Sequence, residues 1–320
     1  MGNQPRARPV VCSEMFAKQT VMSASLLVLL GGVAVADPGG DGRGYFQLGA
    51  GYSTDEGFLA TAAIDQPDLF HTGNELGLFA HITERHQRFD TLFRDPHVLG
   101  GTLTMDLFDD TKQMPGFARQ AVGFSMRQSE QLTEHLSAWV GWRIEDVTSD
   151  GITLARGAPV PLAPGTFSMI STGVTYTAER LELGAYGETG GGFQRVGAWG
   201  ALRQPVGPFV LHAGGDLTAV TPNAPLTEWL MLEGGADVRG YAPGALGLAT
   251  WKAVGHASLE LPLSHDVSLE GFGDAAQLGS MHALSAGYGV IWKSPIGPIH
   301  ADVAYPLDGP PQFFISLGAL

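Results

Sequence analysis

The chain has 320 residues, 45 of them glycine, with 16% charged residues and a formal net charge of -14. That charge excludes an electropositive nucleic-acid surface. The one cysteine, Cys12, lies near the N-terminus, so disulfides cannot staple the rest of the chain.

Taken in chain order, the first 36 residues read as a processing segment. Arg6, Arg8 and Lys18 precede the apolar stretch ASLLVLLGGVAVA, which closes on Ala34-Val35-Ala36. A basic region, a short apolar region and an A-x-A site predict a signal peptide over 1–36, cleaved before Asp37. The run is too short and too broken by glycine to favour a membrane anchor. Met15 and Met22 are alternative starts for so long a leader. Residues 37–320 then form one domain, and the first strand follows so soon that no folded periplasmic domain is expected before it.

After Asp37 the periodicity is two. In ELGLFAHIT, Leu76, Leu78, Ala80 and Ile82 oppose Gly77, Phe79, His81 and Thr83. In LSAWVGWRIE, Leu136, Ala138, Val140, Trp142 and Ile144 oppose Ser137, Trp139, Gly141, Arg143 and Glu145. This alternation predicts strands with one apolar and one polar face. About sixteen are expected, near 45–53, 57–65, 74–84, 86–94, 99–109, 116–127, 133–146, 167–177, 180–187, 192–203, 207–220, 251–262, 266–275, 283–293, 298–306 and 312–320. Connections such as TAE and LSHD are short, whereas 147–166 and 221–250 are long. Short turns at one end and longer loops at the other predict an all-β fold, a single transmembrane antiparallel β-barrel of about 16 strands. A soluble β-sandwich gives the same alternation with the apolar face turned inward.

Several stretches resemble the barrel of the BamA-type outer-membrane insertase superfamily, the bacterial surface antigen family. GYSTDEGF (51–58) resembles its first hairpin, and DLFHTGNEL (68–76) its N-L-F-G-T-G turn, with Asp68 and His71 substituted. Phe93-Arg94-Asp95-Pro96 resembles F-x-D-P, and DVRGY (237–241) the V-R-G-F/Y motif of the sixth outer loop. SPIGPIHADVAYPL (294–307) is similar to the family's S-P-I-G-P turn and strand, and FFISLGAL stands where its last strand ends. The order is that of the family along the whole chain after the leader.

The resemblance implies that the loop holding Val238, Arg239, Gly240 and Tyr241 folds into the lumen, where Arg239 contacts acids on the wall. Glu260 and Asp274, on the polar phase of the next two strands, are the expected partners. A guanidinium offers a planar fork suited to carboxylates. Otherwise Arg239 is an exposed loop arginine contributing almost nothing. The resemblance also implies a lateral seam between the first and last strands, with Gly49, Gly51 and Gly318 giving it little side-chain packing. Departures from the family are the absent POTRA domains, the missing terminal aromatic and a shortened turn between the eighth and ninth strands.

The implied function is assistance to protein insertion or translocation at the outer membrane; the alternative is a structural or passive-pore barrel. Expected partners are outer-membrane lipids and lipopolysaccharide, with client outer-membrane proteins or a separate periplasmic partner. No cofactor, metal or enzyme chemistry is expected. His81 and His86 flank a hairpin without a third ligand, and Asp109-Asp110 and Glu145-Asp146 read as solvated rims or as divalent-ion contacts with lipopolysaccharide rather than catalytic groups.

Overall fold

The computed structural model describes residues 44–53, 57–150, 165–294 and 297–317. The predicted signal peptide, Cys12 and Gly318 lie outside these residues. The first eight strands are β1 (Tyr45–Ser53), β2 (Gly57–Leu69), β3 (Asn74–Thr83), β4 (His86–Val98), β5 (Gly101–Met114), β6 (Phe117–Gln131), β7 (Leu136–Asp150) and β8 (Gly165–Thr177). The second eight are β9 (Leu181–Gly190), β10 (Phe193–Val206), β11 (Phe209–Val220), β12 (Trp251–Pro262), β13 (Val267–Leu278), β14 (Met281–Ser294), β15 (Gly297–Pro306) and β16 (Gln312–Leu317). They form one sheet in sequence order, each strand antiparallel to its chain neighbour. The sheet curls until β1 comes beside β16. Among the described residues no hydrogen-bonded ladder joins those two edges.

Several strands run further than the apolar alternation indicates. β5 continues through Asp109-Asp110-Thr111-Lys112, and β7 through Asp146–Asp150. Their ladders with β6 continue over these polar residues. Such runs carry no apolar phase by which a strand is recognised, yet the backbone pairs regardless of side chain.

The direction of the apolar face separates barrel from sandwich. Val140 is 54% exposed, Ile170 58%, Leu217 50% and Leu284 49%. In a sandwich these positions would be the core. Here they form part of an outward apolar surface, as required of a sheet facing lipid. The opposite face turns inward and carries the charge: Arg143 and Glu145 on β7, Arg195 on β10 and Asp274 on β13 all belong to enclosed ion pairs. Larger groups also fit inside where glycine makes room. The Trp139 indole lies across Gly173 of β8 and receives the Arg127 guanidinium 4.1 Å from its ring centre.

The adjacent acids divide accordingly. Asp110 binds His86 at 2.6 Å and Arg119 at 3.6 Å, and Glu145 binds Arg143 at 2.8 Å. Asp146 points outward, within reach of Thr166. Reading both pairs as solvated rims is therefore corrected: neighbours on a strand face opposite sides, and Asp110 and Glu145 face the lumen.

An Ile170→Arg substitution puts a guanidinium mid-strand on the lipid face. It is expected to lower the stability of the bilayer-folded barrel by about 2–4 kcal/mol. Urea unfolding in liposomes measures this; no loss of stability would contradict a lipid-facing surface.

Candidate functional site

Residues 221–250 connect β11 to β12 and lie against the inward face of the sheet. The loop is pinched at its base by a two-bond bridge, Leu230 N–H to Ala249 O at 2.8 Å and Ala249 N–H to Leu230 O at 2.9 Å. Its apolar side chains supply two small cores. Ala224 and Trp229 pack with Phe167, Met169 and Phe193 of the wall. Leu232, Val238 and Tyr241 pack with Val254, Ala276 and Ala283.

Arg239 sits where the second core meets β13. Its Nε donates to Asp274 Oδ2 at 2.7 Å, and its Nη2 to Asp274 Oδ1 at 2.9 Å. The Arg239 backbone N–H also donates to Asp274 Oδ2, at 3.2 Å. Its Nη1 reaches Glu270 Oε2 at 3.5 Å. The guanidinium lies 3.3 Å above the Phe272 ring centre. Glu270, Phe272 and Asp274 are alternate residues of β13, so they share one face and present an acid, an aromatic platform and an acid in a row. A bidentate, charge-assisted pair is the strongest arrangement available to arginine, and stacking on an aromatic face adds to it.

The neighbouring motif residues fix this placement. Val238 is fully buried and Tyr241 nearly so. The Tyr241 hydroxyl donates to the Leu284 carbonyl of β14 at 3.4 Å. Gly240 has φ +98°, and a Cβ there would press on the Pro306 ring at 3.1 Å. Glycine is required twice over, by backbone conformation and by space.

Of the two acids expected to meet Arg239, Asp274 does and Glu260 does not. Glu260 instead accepts from His212 of β11 at 3.2 Å. The loop descends along β13, so the second acid is Glu270, which stands opposite Glu260 in the β12–β13 register. Gly49 and Gly51 lie in β1, paired with Thr61 and Leu59 of β2.

Three further anchors carry charge of the opposite sign. Glu228 is held by Arg195 of β10 at 2.8 Å and Arg119 of β6 at 3.0 Å. Glu233 pairs with Lys112 of β5. Asp237 takes Lys252 of β12 at 2.9 Å. Burial pushes the Glu228 carboxyl up, but Arg119, Arg195 and Arg143 outweigh it and hold the group at about 2. Burial likewise opposes ionisation of Glu233, and Lys112 and Lys252 bring it below the usual range. The loop thus gives acids to the basic stretch of the wall and its arginine to the acidic stretch. Beside Arg239 a cavity of about 450 Å³ is lined by Arg180, Glu182, His212 and His256, among others.

Two outcomes test these anchors. Arg239→Ala leaves Asp274, 1% exposed at its side chain, without its bidentate guanidinium and with only His256 at 3.3 Å and the residue-239 backbone N–H. It should cost about 3–5 kcal/mol in denaturant unfolding, with Arg239→Lys recovering only part because it loses the fork and the stack. Glu228 has its folded value depressed from 4.5 to about 2. The stability it contributes is therefore complete above the unfolded value and is lost as pH falls from about 4.5 towards 2. Glu228→Gln should flatten the stability profile across that window; an unchanged acid limb would show that the pairing contributes nothing.

With this geometry in view, the chain can be set beside known proteins. Residues 168–313 match the Omp85 superfamily domain. No curated protein matches by sequence. The fold resembles BamA from Haemophilus ducreyi, solved without POTRA domains 1–3, with a TM-score of 0.74 and 17% identity over 100% of this chain and 80% of that one. It also resembles CdiB from Acinetobacter baumannii, with a TM-score of 0.60 and 10% identity over 86% of this chain and 59% of that one. At these identities the solved structures speak for the fold. The match to the Omp85 superfamily domain over residues 168–313 takes in the lumenal loop, its arginine and the strand that receives it.

Proposed function

We propose that this protein resides in the bacterial outer membrane and assists the insertion or translocation of other proteins there. The observation that carries the reading is the Arg239 clasp on Asp274, made by a loop folded into the lumen of an Omp85-type barrel. A clasp of this kind fixes the loop to β13, close to the last strands of the sheet. The edges β1 and β16 are the place for a client strand to engage. They lie side by side, with no ladder between them among the described residues. β1 brings Gly49 and Gly51 to that edge, and glycine contributes little cross-strand packing.

In this mechanism the seam opens locally, a client strand pairs with a free edge, and the outward apolar surface thins the adjoining bilayer. Main-chain hydrogen bonds supply the affinity, as in other strand-addition interactions. The anchored loop keeps the rest of the wall in shape while the seam exchanges. Lipids, lipopolysaccharide and unfolded outer-membrane proteins are the partners this mechanism requires. A passive pore is less well supported, because the loop folds against the inward wall and is held there by paired charges.

Reconstitution tests the proposal. The chain without its leader, folded into liposomes, should speed the folding of an unrelated small barrel, and Arg239→Ala should abolish most of that acceleration. A bilayer-folded protein that gives no acceleration would sink the stand-alone insertase reading.

A further inference from the structure

A second cluster on the lumen wall shares one member, Glu270, with the loop clasp and adds two residues the clasp does not use. Glu270 of β13 stands opposite Gly289 of β14, and Gly289 stands opposite Asp302 of β15. The glycine leaves the space between the two carboxylates free of any side chain. A Cβ at Gly289 would collide with the Asp302 carboxylate. His300 is two residues before Asp302 on the same strand, so it turns to the same face. One ligand atom each from Glu270, His300 and Asp302 lies within 4.8 Å of the others.

Two of these groups are buried, each with one unsatisfied atom. His300 is 7% exposed and Asp302 5% exposed. Among the described residues His300 Nε2 and Asp302 Oδ1 have no hydrogen-bond partner. Leaving a buried polar atom unsatisfied costs about 1–3 kcal/mol, more for a charged group. Both residues belong to this one cluster, beside a third carboxylate whose contact with Arg239 is a long 3.5 Å, and a bound cation would satisfy them.

We propose that Glu270, His300 and Asp302 form a divalent-metal site of the Zn²⁺ type on the lumen wall. One imidazole and two carboxylates are ordinary ligands for this ion, and together they supply two negative charges to its two positive ones. Zinc bonds of about 2.0–2.2 Å place neighbouring donors about 3.4 Å apart in a tetrahedron. Donors already within 4.8 Å reach that spacing by side-chain rotation, and water completes the fourth position. Glu270 is shared between the ion and Arg239. Metal binding therefore draws Glu270 towards β15 and leaves the guanidinium to Asp274 and the Phe272 face.

The test is a titration of the folded chain in detergent micelles, carrying no polyhistidine tag, with ZnCl₂ by calorimetry and with Co²⁺ as an optical probe. One equivalent of Zn²⁺ should bind saturably, and Co²⁺ should give visible bands of a low-coordinate nitrogen–oxygen site. His300→Asn and Asp302→Asn should each weaken binding by more than about tenfold, while His265→Asn, at an exposed turn, should leave it unchanged. Heat-modifiable migration in gels reports folding for every variant. Absence of saturable binding by the folded wild-type chain overturns the proposal whatever the variants do. Binding that survives in folded His300→Asn, or is lost in His265→Asn, overturns it as well.

Discussion

A charge removed from water must meet its opposite, and this requirement governs the interior of the barrel. The loop between β11 and β12 brings Glu228, Glu233, Asp237 and Arg239 into the lumen. Each would be prohibitively costly there if unpaired. Each meets its opposite on the wall: basic groups of β5, β6, β10 and the start of β12 take the loop's acids, and acidic groups of β13 take its arginine. These matches favour one seating of the loop, since a rotated loop would give them up. Individual ion pairs of this kind add little net stability over an apolar alternative, but they penalise every wrong arrangement.

The same division of labour organises each strand. Outward residues need only be apolar, because lipid asks for no shape complementarity. Inward residues need partners, space or both. Glycines on the inward face serve the second need: Gly173 admits the Trp139 ring, and Gly289 leaves room beside Asp302. A glycine-rich composition in this chain is therefore partly a record of what the lumen must hold.

The sequence made the sheet legible through its period of two, and the long 221–250 stretch stood out because it has no such period. The V-R-G-Y motif pointed to Arg239, and strand phase pointed to Asp274. Phase could not choose between Glu260 and Glu270, since both turn inward and stand opposite each other; the choice depends on the path of the loop down β13. Glu228 was invisible for a different reason. It sits in APLTEWL without periodic neighbours, and its partner Arg119 is 109 residues away. The cluster of Glu270, His300 and Asp302 likewise exists only through the three-strand register that places Gly289 between two acids.

The separation of the loop from its partners also constrains how the molecule is made. Lys112 and Glu233 are 121 residues apart in the chain, and contacts so distant in sequence make folding slow. Once eleven strands have paired, the loop can settle on their concave face through Glu228 and Glu233. Strands β12–β16 then wrap around a seated loop, and β13 arrives to take Arg239. With partners on β5, β6 and β10, which precede it in the chain, the loop can serve as a mandrel for the strands that follow it.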